Sequence, residues 1–122
     1  MTTNIQIAEA YYSSILKGQK KEIPTFYHPD IEFITPLSEL QGISSVAKAA
    51  SGFSDAIQEL KFRAKFENID CVMMACDVLF KGSSELLKTA ILMDFENEKI
   101  RRIECFYDGS KVLETEKKQI FS

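Results

Sequence analysis

The residues able to do proton or nucleophile chemistry are few and scattered. His28 is the only histidine, set beside Pro29, and spacing identifies no acidic partner for it, so it reads as a structural or surface residue. Cys71, Cys76 and Cys105 form no CxxC pair, and the odd offset between Cys71 and Cys76 points them to opposite faces of one strand. Neither a disulfide framework nor a zinc site is expected. A nucleophilic Cys76 or Cys105 needs a base or cation to lower its pKa, and His28 cannot be placed beside either from the sequence, so both read as small buried hydrophobes. One histidine and scattered carboxylates make no metal-ligand set, and five glycines form no phosphate loop, so no cofactor and no metal is expected. What remains is hydroxyl chemistry. Tyr11 can donate a hydrogen bond to a ligand carbonyl, or it can be a packed tyrosine whose hydroxyl is satisfied internally.

The elements that position these residues are read from periodicity. Ala8, Tyr11, Tyr12 and Ile15 recur at helical spacing, and Gly18 follows where a left-handed cap belongs. A second short helix is expected over about 20–27, with Pro24 in its first turn, before Pro29 and Asp30 end it. A third is marked by Ser44 and Ser45 as cap candidates and by the stripe Val46, Ala50, Phe53 and Ile57. A short strand over 30–35 precedes it. Afterwards the period becomes two, giving strands over 60–69, 71–80, 86–95 and 100–107, with turn signals at 81–84 and 96–99. Lys61, Arg63 and Lys65 are expected on one solvated face of their strand, with Leu60, Phe62, Ala64 and Phe66 on the other.

A chain of 122 residues with 45% hydrophobic and 27% charged residues supports one domain, with a core over about 5–113 and a charged tail over 114–122. Net charge −3 gives no reason to approach nucleic acid. The longest apolar run, Cys71 to Phe80, is broken by Asp77 and too short to span a bilayer, and no leader pattern opens the chain, so a cytoplasmic protein without a membrane role is expected. Helices followed by antiparallel strands define an α+β fold. Both faces of the strand over 71–80 are apolar, which predicts that both are covered, the outer one by a second copy in a homodimer.

Three segments resemble the SnoaL-like, ketosteroid isomerase-like branch of the nuclear transport factor 2-like superfamily. They are the opening helix ending in Lys17-Gly18-Gln19, the stretch FYHPDIEFITP from Phe26 to Pro36 with Gln41-Gly42-Ile43, and the closing IECFYD from Ile103 to Asp108. The resemblance implies a cone-shaped, strongly curved antiparallel sheet with three N-terminal helices on its concave face. Ketosteroid isomerases of this fold use a helix Tyr, an Asp base before the proline that ends the first strand, and a protonated Asp on a later strand. By that comparison Tyr11 takes the Tyr position, but Thr35 stands at the base position and Ile91 at that of the second acid. The acid that limonene epoxide hydrolases need on the last strand falls on Cys105. Threonine cannot accept a proton near neutral pH and isoleucine can neither donate nor accept one, so that isomerase chemistry is disfavoured.

Alternation from Thr35 and Tyr107 gives the expected ligand-binding residues. Phe33 and Thr35 come from the first strand, Met74 and Cys76 from the strand over 71–80, Ile91 and Met93 from the next, and Cys105 and Tyr107 from the last, with Tyr11 contributed by the first helix. Asp77, Asp94 and Glu104 fall on the outward register. Such an apolar lining suits a small hydrophobic ligand oriented by Tyr11, Thr35 or Tyr107. It suits almost as well a non-catalytic dimeric protein-interaction module whose cone is filled by its own side chains.

Overall fold

The computed structural model describes residues 2–111; the tail over 114–122 and the last residues of the expected core lie outside them. Helix α1 (Asn4–Leu16) starts in a reciprocal cap. Thr3 Oγ1 accepts the Gln6 N–H at 3.3 Å while the Thr3 N–H donates to Gln6 Oε1 at 2.9 Å. It ends at Gly18, whose φ of 69° lets its N–H reach the Ile15 carbonyl and the Gln19 N–H reach that of Ser14. Ile7, Ala8, Tyr11, Tyr12 and Ile15 form its buried stripe.

Strand β1 (Tyr27–Thr35) turns into the short β2 (Ser38–Gln41), then α2 (Ile43–Ala56) runs directly into β3 (Ile57–Glu67). Strands β4 (Cys71–Phe80), β5 (Leu87–Glu96) and β6 (Lys99–Phe106) complete one six-stranded sheet in the order β2-β1-β6-β5-β4-β3. Both helices pack on one face, where Val72, Met74, Met93, Ile100 and Ile103 are buried with Tyr11 and Val46.

Four expectations are corrected. There are two α-helices among the described residues, not three, because the stretch around Pro24 closes only a 3-10 turn, Ile23–Phe26. Proline lacks the N–H that a longer helix would need there. The sheet is not wholly antiparallel, since β1 and β6 pair in parallel. Neither Ser44 nor Ser45 caps α2; its N-cap is Gly42 at φ 91°. Finally, Lys61, Arg63 and Lys65 do not share a face. A bulge between Phe62 and Ala64 inserts one residue into β3, so Phe62 pairs with Cys76 but Lys65 pairs with Met74. Lys65 therefore lies on the helix side, bonded to Glu9 of α1 at 2.8 Å, and Phe66 turns outward.

Further register shifts interrupt the β1–β6 and β5–β6 pairings. Bulges bend the strands that carry them, and here they curl the sheet around the two helices. Among the described residues no helix is long and apolar enough to cross a membrane.

Candidate functional site

The concave face and the two helices do not close completely. Between them lies a cavity of about 80 Å³ whose wall carries no charged side chain. From α1 come Tyr11, Tyr12 and Ile15, from α2 Val46, Ala49, Ala50 and Phe53, and from the sheet Phe33, Thr35, Ile91, Cys105 and Tyr107 among others. Of the nine residues expected at a ligand site, six lie on this wall: Tyr11, Phe33, Thr35, Ile91, Cys105 and Tyr107. Met74, Cys76 and Met93 do not. They share the concave face but have no exposed surface, packed beneath the helices in the core. Alternation assigns a face and is silent about depth.

The α2 side of the wall holds none of the nine expected residues, although the sequence carries its signal. The apolar stripe Val46, Ala50 and Phe53 bounds the cavity. Its small residues, Ala49 and Ala50, leave the space that larger ones would fill.

Tyr11 brings a buried hydroxyl to the wall. Its hydroxyl lies 2.6 Å from that of Tyr27, and its ring packs against Tyr12, Phe26 and Tyr27 at centroid distances of 5.0, 5.7 and 5.6 Å. Burial, reinforced by the neighbouring Tyr27 and Tyr12, pushes the Tyr11 hydroxyl well above the usual tyrosine range. Burial also raises Tyr27, though its hydrogen bond to Tyr11 opposes the shift. Both are neutral donors at physiological pH. Two hydroxyls carry two hydrogens, and one bridge uses only one of them.

Thr35, the residue at the position of the isomerase base, is occupied locally. Its Oγ1 accepts the N–H groups of Leu37 and Ser38, each at 3.1 Å, and so organises the β1–β2 turn. Burial raises Tyr107, and the nearby Thr35 hydroxyl opposes the shift. Burial pushes the Cys105 thiol up to about 12, with Cys76 and Glu104 adding to it, and that of Cys76 to about 11. Neither sulfur is a thiolate near neutral pH, so neither can serve as a nucleophile there.

His28 lies away from the cavity. Its Nδ1 accepts the Asp30 N–H at 3.0 Å, which places the ring proton on Nε2, 2.6 Å from Glu96 Oε2. This partner sits at the β5–β6 turn, far along the chain, so local spacing could not reveal it. Asp108 caps the closing turn through the Ser110 N–H and hydroxyl, which hold its carboxyl below the usual range. No group of three or more potential metal ligands occurs among the described residues.

No family model and no curated protein matches the chain. Solved structures do. A steroid delta-isomerase from Pseudomonas aeruginosa superposes with a TM-score of 0.80 at 13% identity, over 98% of this chain and 90% of that one. An NTF2-like protein of unknown function from Cytophaga hutchinsonii gives 0.78 at 12% identity, over 90% and 94%. The fold is nuclear transport factor 2-like. A hypothetical protein with a ketosteroid isomerase-like fold from Catenulispora acidiphila, solved in complex with trimethylamine, gives 0.74 at 17% identity over 92% of both chains. At such identities the likeness fixes the NTF2-like architecture, while the chemistry must come from this chain's own residues.

Proposed function

We propose that the protein binds a small, neutral, largely hydrophobic molecule in the cavity between its helices and the concave sheet face, oriented by the Tyr11 hydroxyl. The observation that carries this reading is the wall itself: apolar and uncharged, and including Tyr11, whose buried hydroxyl is paired with that of Tyr27 behind it. A charged ligand would lose its hydration there with nothing to replace it. A ligand with a hydrogen-bond acceptor gains a partner, because one hydrogen of the Tyr11–Tyr27 pair has no acceptor among the described residues. At roughly 10–15 Å³ for each water-sized occupant, a cavity of 80 Å³ suits a compact molecule of roughly five to eight non-hydrogen atoms. One structural neighbour was solved in complex with trimethylamine, a still smaller molecule, which supports the idea that this fold accommodates compact ligands.

With Thr35 tied into a turn and Cys105 protonated, the wall has no general base, and any rate enhancement would rest on positioning alone. A second reading, a non-catalytic interaction module with a largely filled cone, draws on the modest volume, well below the roughly 300–1,000 Å³ of drug-sized sites. Native mass spectrometry with cyclohexanone separates the two. The first reading expects one ligand per wild-type chain and none on Ile91→Trp, whose indole fills the cavity. Equal occupancy of both chains, or of neither, rejects it.

A further inference from the structure

The chain's single histidine is held in a frame of charges that the cavity itself does not use. The His28 side chain is only 14% exposed and lies between two carboxylates, with Nε2 2.6 Å from Glu96 Oε2 and Nδ1 4.0 Å from Asp30 Oδ2. Nδ1 also accepts the Asp30 N–H at 3.0 Å, which it can do only while it carries no proton. From β6, Arg101 Nε approaches the same Glu96 oxygen at 3.9 Å, and Lys99 Nζ donates to the Thr25 carbonyl at 2.7 Å. Glu96, Asp30, Arg101 and Lys99 are thus the charged groups set around the ring from β5, β1 and β6 among the described residues.

The two sides of this frame differ in how firmly they are held. Glu96 pairs with Lys99 across the β5–β6 turn, where Asn97 and Glu98 have φ of 53° and 61°. Two successive positive φ values make the tight turn that matches the twist of a hairpin. On the other side, Tyr27 pairs with Ile100 and Glu32 with Arg102, so residues 28–31 of β1 stand against Arg101 alone and bulge from the ladder. That bulge joins two walls of the cavity. Just before it, the Tyr27 hydroxyl meets that of Tyr11 at 2.6 Å. At its end, the Ile31 carbonyl accepts the N–H of Gly42, the N-cap of α2, at 2.9 Å.

We propose that His28 is a positioning residue for the cavity and that its protonation loosens the ligand site, an inference that rests on the cavity being one. A proton on Nδ1 turns the acceptor of the Asp30 N–H into a second donor, and two donors cannot share a bond. The new N–H needs the Asp30 carboxylate, which at 4.0 Å is beyond hydrogen-bond reach, so one side of the frame must move. The paired hairpin holds Glu96 in place, and the motion falls on the bulge, with Tyr27 at one end and the start of α2 at the other. The hydroxyl pair and the α2 wall therefore shift together. Histidine is the side chain that ordinarily changes charge between about pH 5 and 8, and one histidine leaves a single candidate for the transition.

NMR of the full chain without ligand, followed from about pH 8 to about pH 5, tests this. In the wild type the His28 ring, the Asp30 amide and the Ala49 and Ala50 methyls should move with one common midpoint. In His28→Gln, whose side chain does not titrate, the Asp30 amide and both methyls should stay still over the same range. Methyls or an Asp30 amide that hold still while the wild-type His28 titrates overturn the proposal. Cyclohexanone binding read on the same spectra should weaken roughly tenfold from about pH 8 to about pH 5 in the wild type, the scale of one lost hydrogen bond, and stay level in the variant. Wild-type binding that is equally tight at both pH values also overturns it. Absence of binding at both rejects the ligand reading instead, and the ligand-free titration still decides whether His28 moves the wall.

Discussion

Filling the cavity from the helix side should stabilise the protein and remove its ligand site together. Ala49 is 3% exposed and lies on the α2 wall. Ala49→Leu adds three carbons to space that is now empty. At about 0.8 kcal/mol for each buried methylene the gain is about 2.4 kcal/mol, from which lost rotamer freedom subtracts about 0.5–1 kcal/mol. A net gain of about 1.5 kcal/mol raises the Tm of a domain of this size by roughly 4–8 °C. Differential scanning calorimetry reads the shift, and a cyclohexanone titration of the same variant should show no binding. If the variant instead melts several degrees lower, the leucine has met packed atoms, with an overpacking cost of about 1–3 kcal/mol. The cavity would then not be available space, and the argument built on it would fall.

Alkaline pH should unfold the protein in a defined order. Burial raises Cys76 and Cys105 from the ordinary 9.0 to about 11 and about 12, and raises Tyr11 and Tyr12 above 10.0. A group whose folded pKa is raised contributes stability that is complete below its unfolded pKa and is lost as pH climbs toward the folded one. Urea melts should thus show stability flat up to about pH 9, then falling by about 1.4 kcal/mol per pH unit for each thiol, and more steeply above about pH 10. Replacing both cysteines with alanine should delay the onset to about pH 10; an unchanged onset contradicts the assignment. At the β5–β6 turn, Asn97 and Glu98 both have positive φ, 53° and 61°. Glycine suits the second position, so Glu98→Gly should gain about 0.5–1 kcal/mol in chemical denaturation despite its greater chain entropy. Ser54 Oγ donates to the Ile15 carbonyl at 2.6 Å and ties α2 to α1. Ser54→Ala should cost about 1 kcal/mol by the same assay.

The parts of the fold that were legible in the sequence are those set by local rules. Gly18 marked the end of α1, the change of period marked the passage from helix to sheet, and the residues at 96–99 marked a hairpin that the structure closes between Glu96 and Lys99. The parts that were not legible depend on pairing. Whether β3 carries a bulge at Arg63 is decided by how β4 lies beside it, and that one residue sends Lys65 to the helices and Phe66 to the surface. The parallel match of β1 with β6 leaves no local trace either. At the site, alternation chose the correct strand face for Met74, Cys76 and Met93 but could not distinguish a cavity wall from the core beneath it. The pairings of Tyr11 with Tyr27 and His28 with Glu96 join residues whose separation in sequence has no regular period.

The central claim is that the cavity bounded by Tyr11, Ala49, Ala50 and Ile91 takes up a small neutral ligand. Methyl NMR during a cyclohexanone titration tests it most directly. The account predicts saturable shifts at the Ala49, Ala50 and Ile91 methyls, with Ala75 and Ala90 on the convex face unmoved. Shifts that never saturate, or that fall equally on both faces of the sheet, would contradict it.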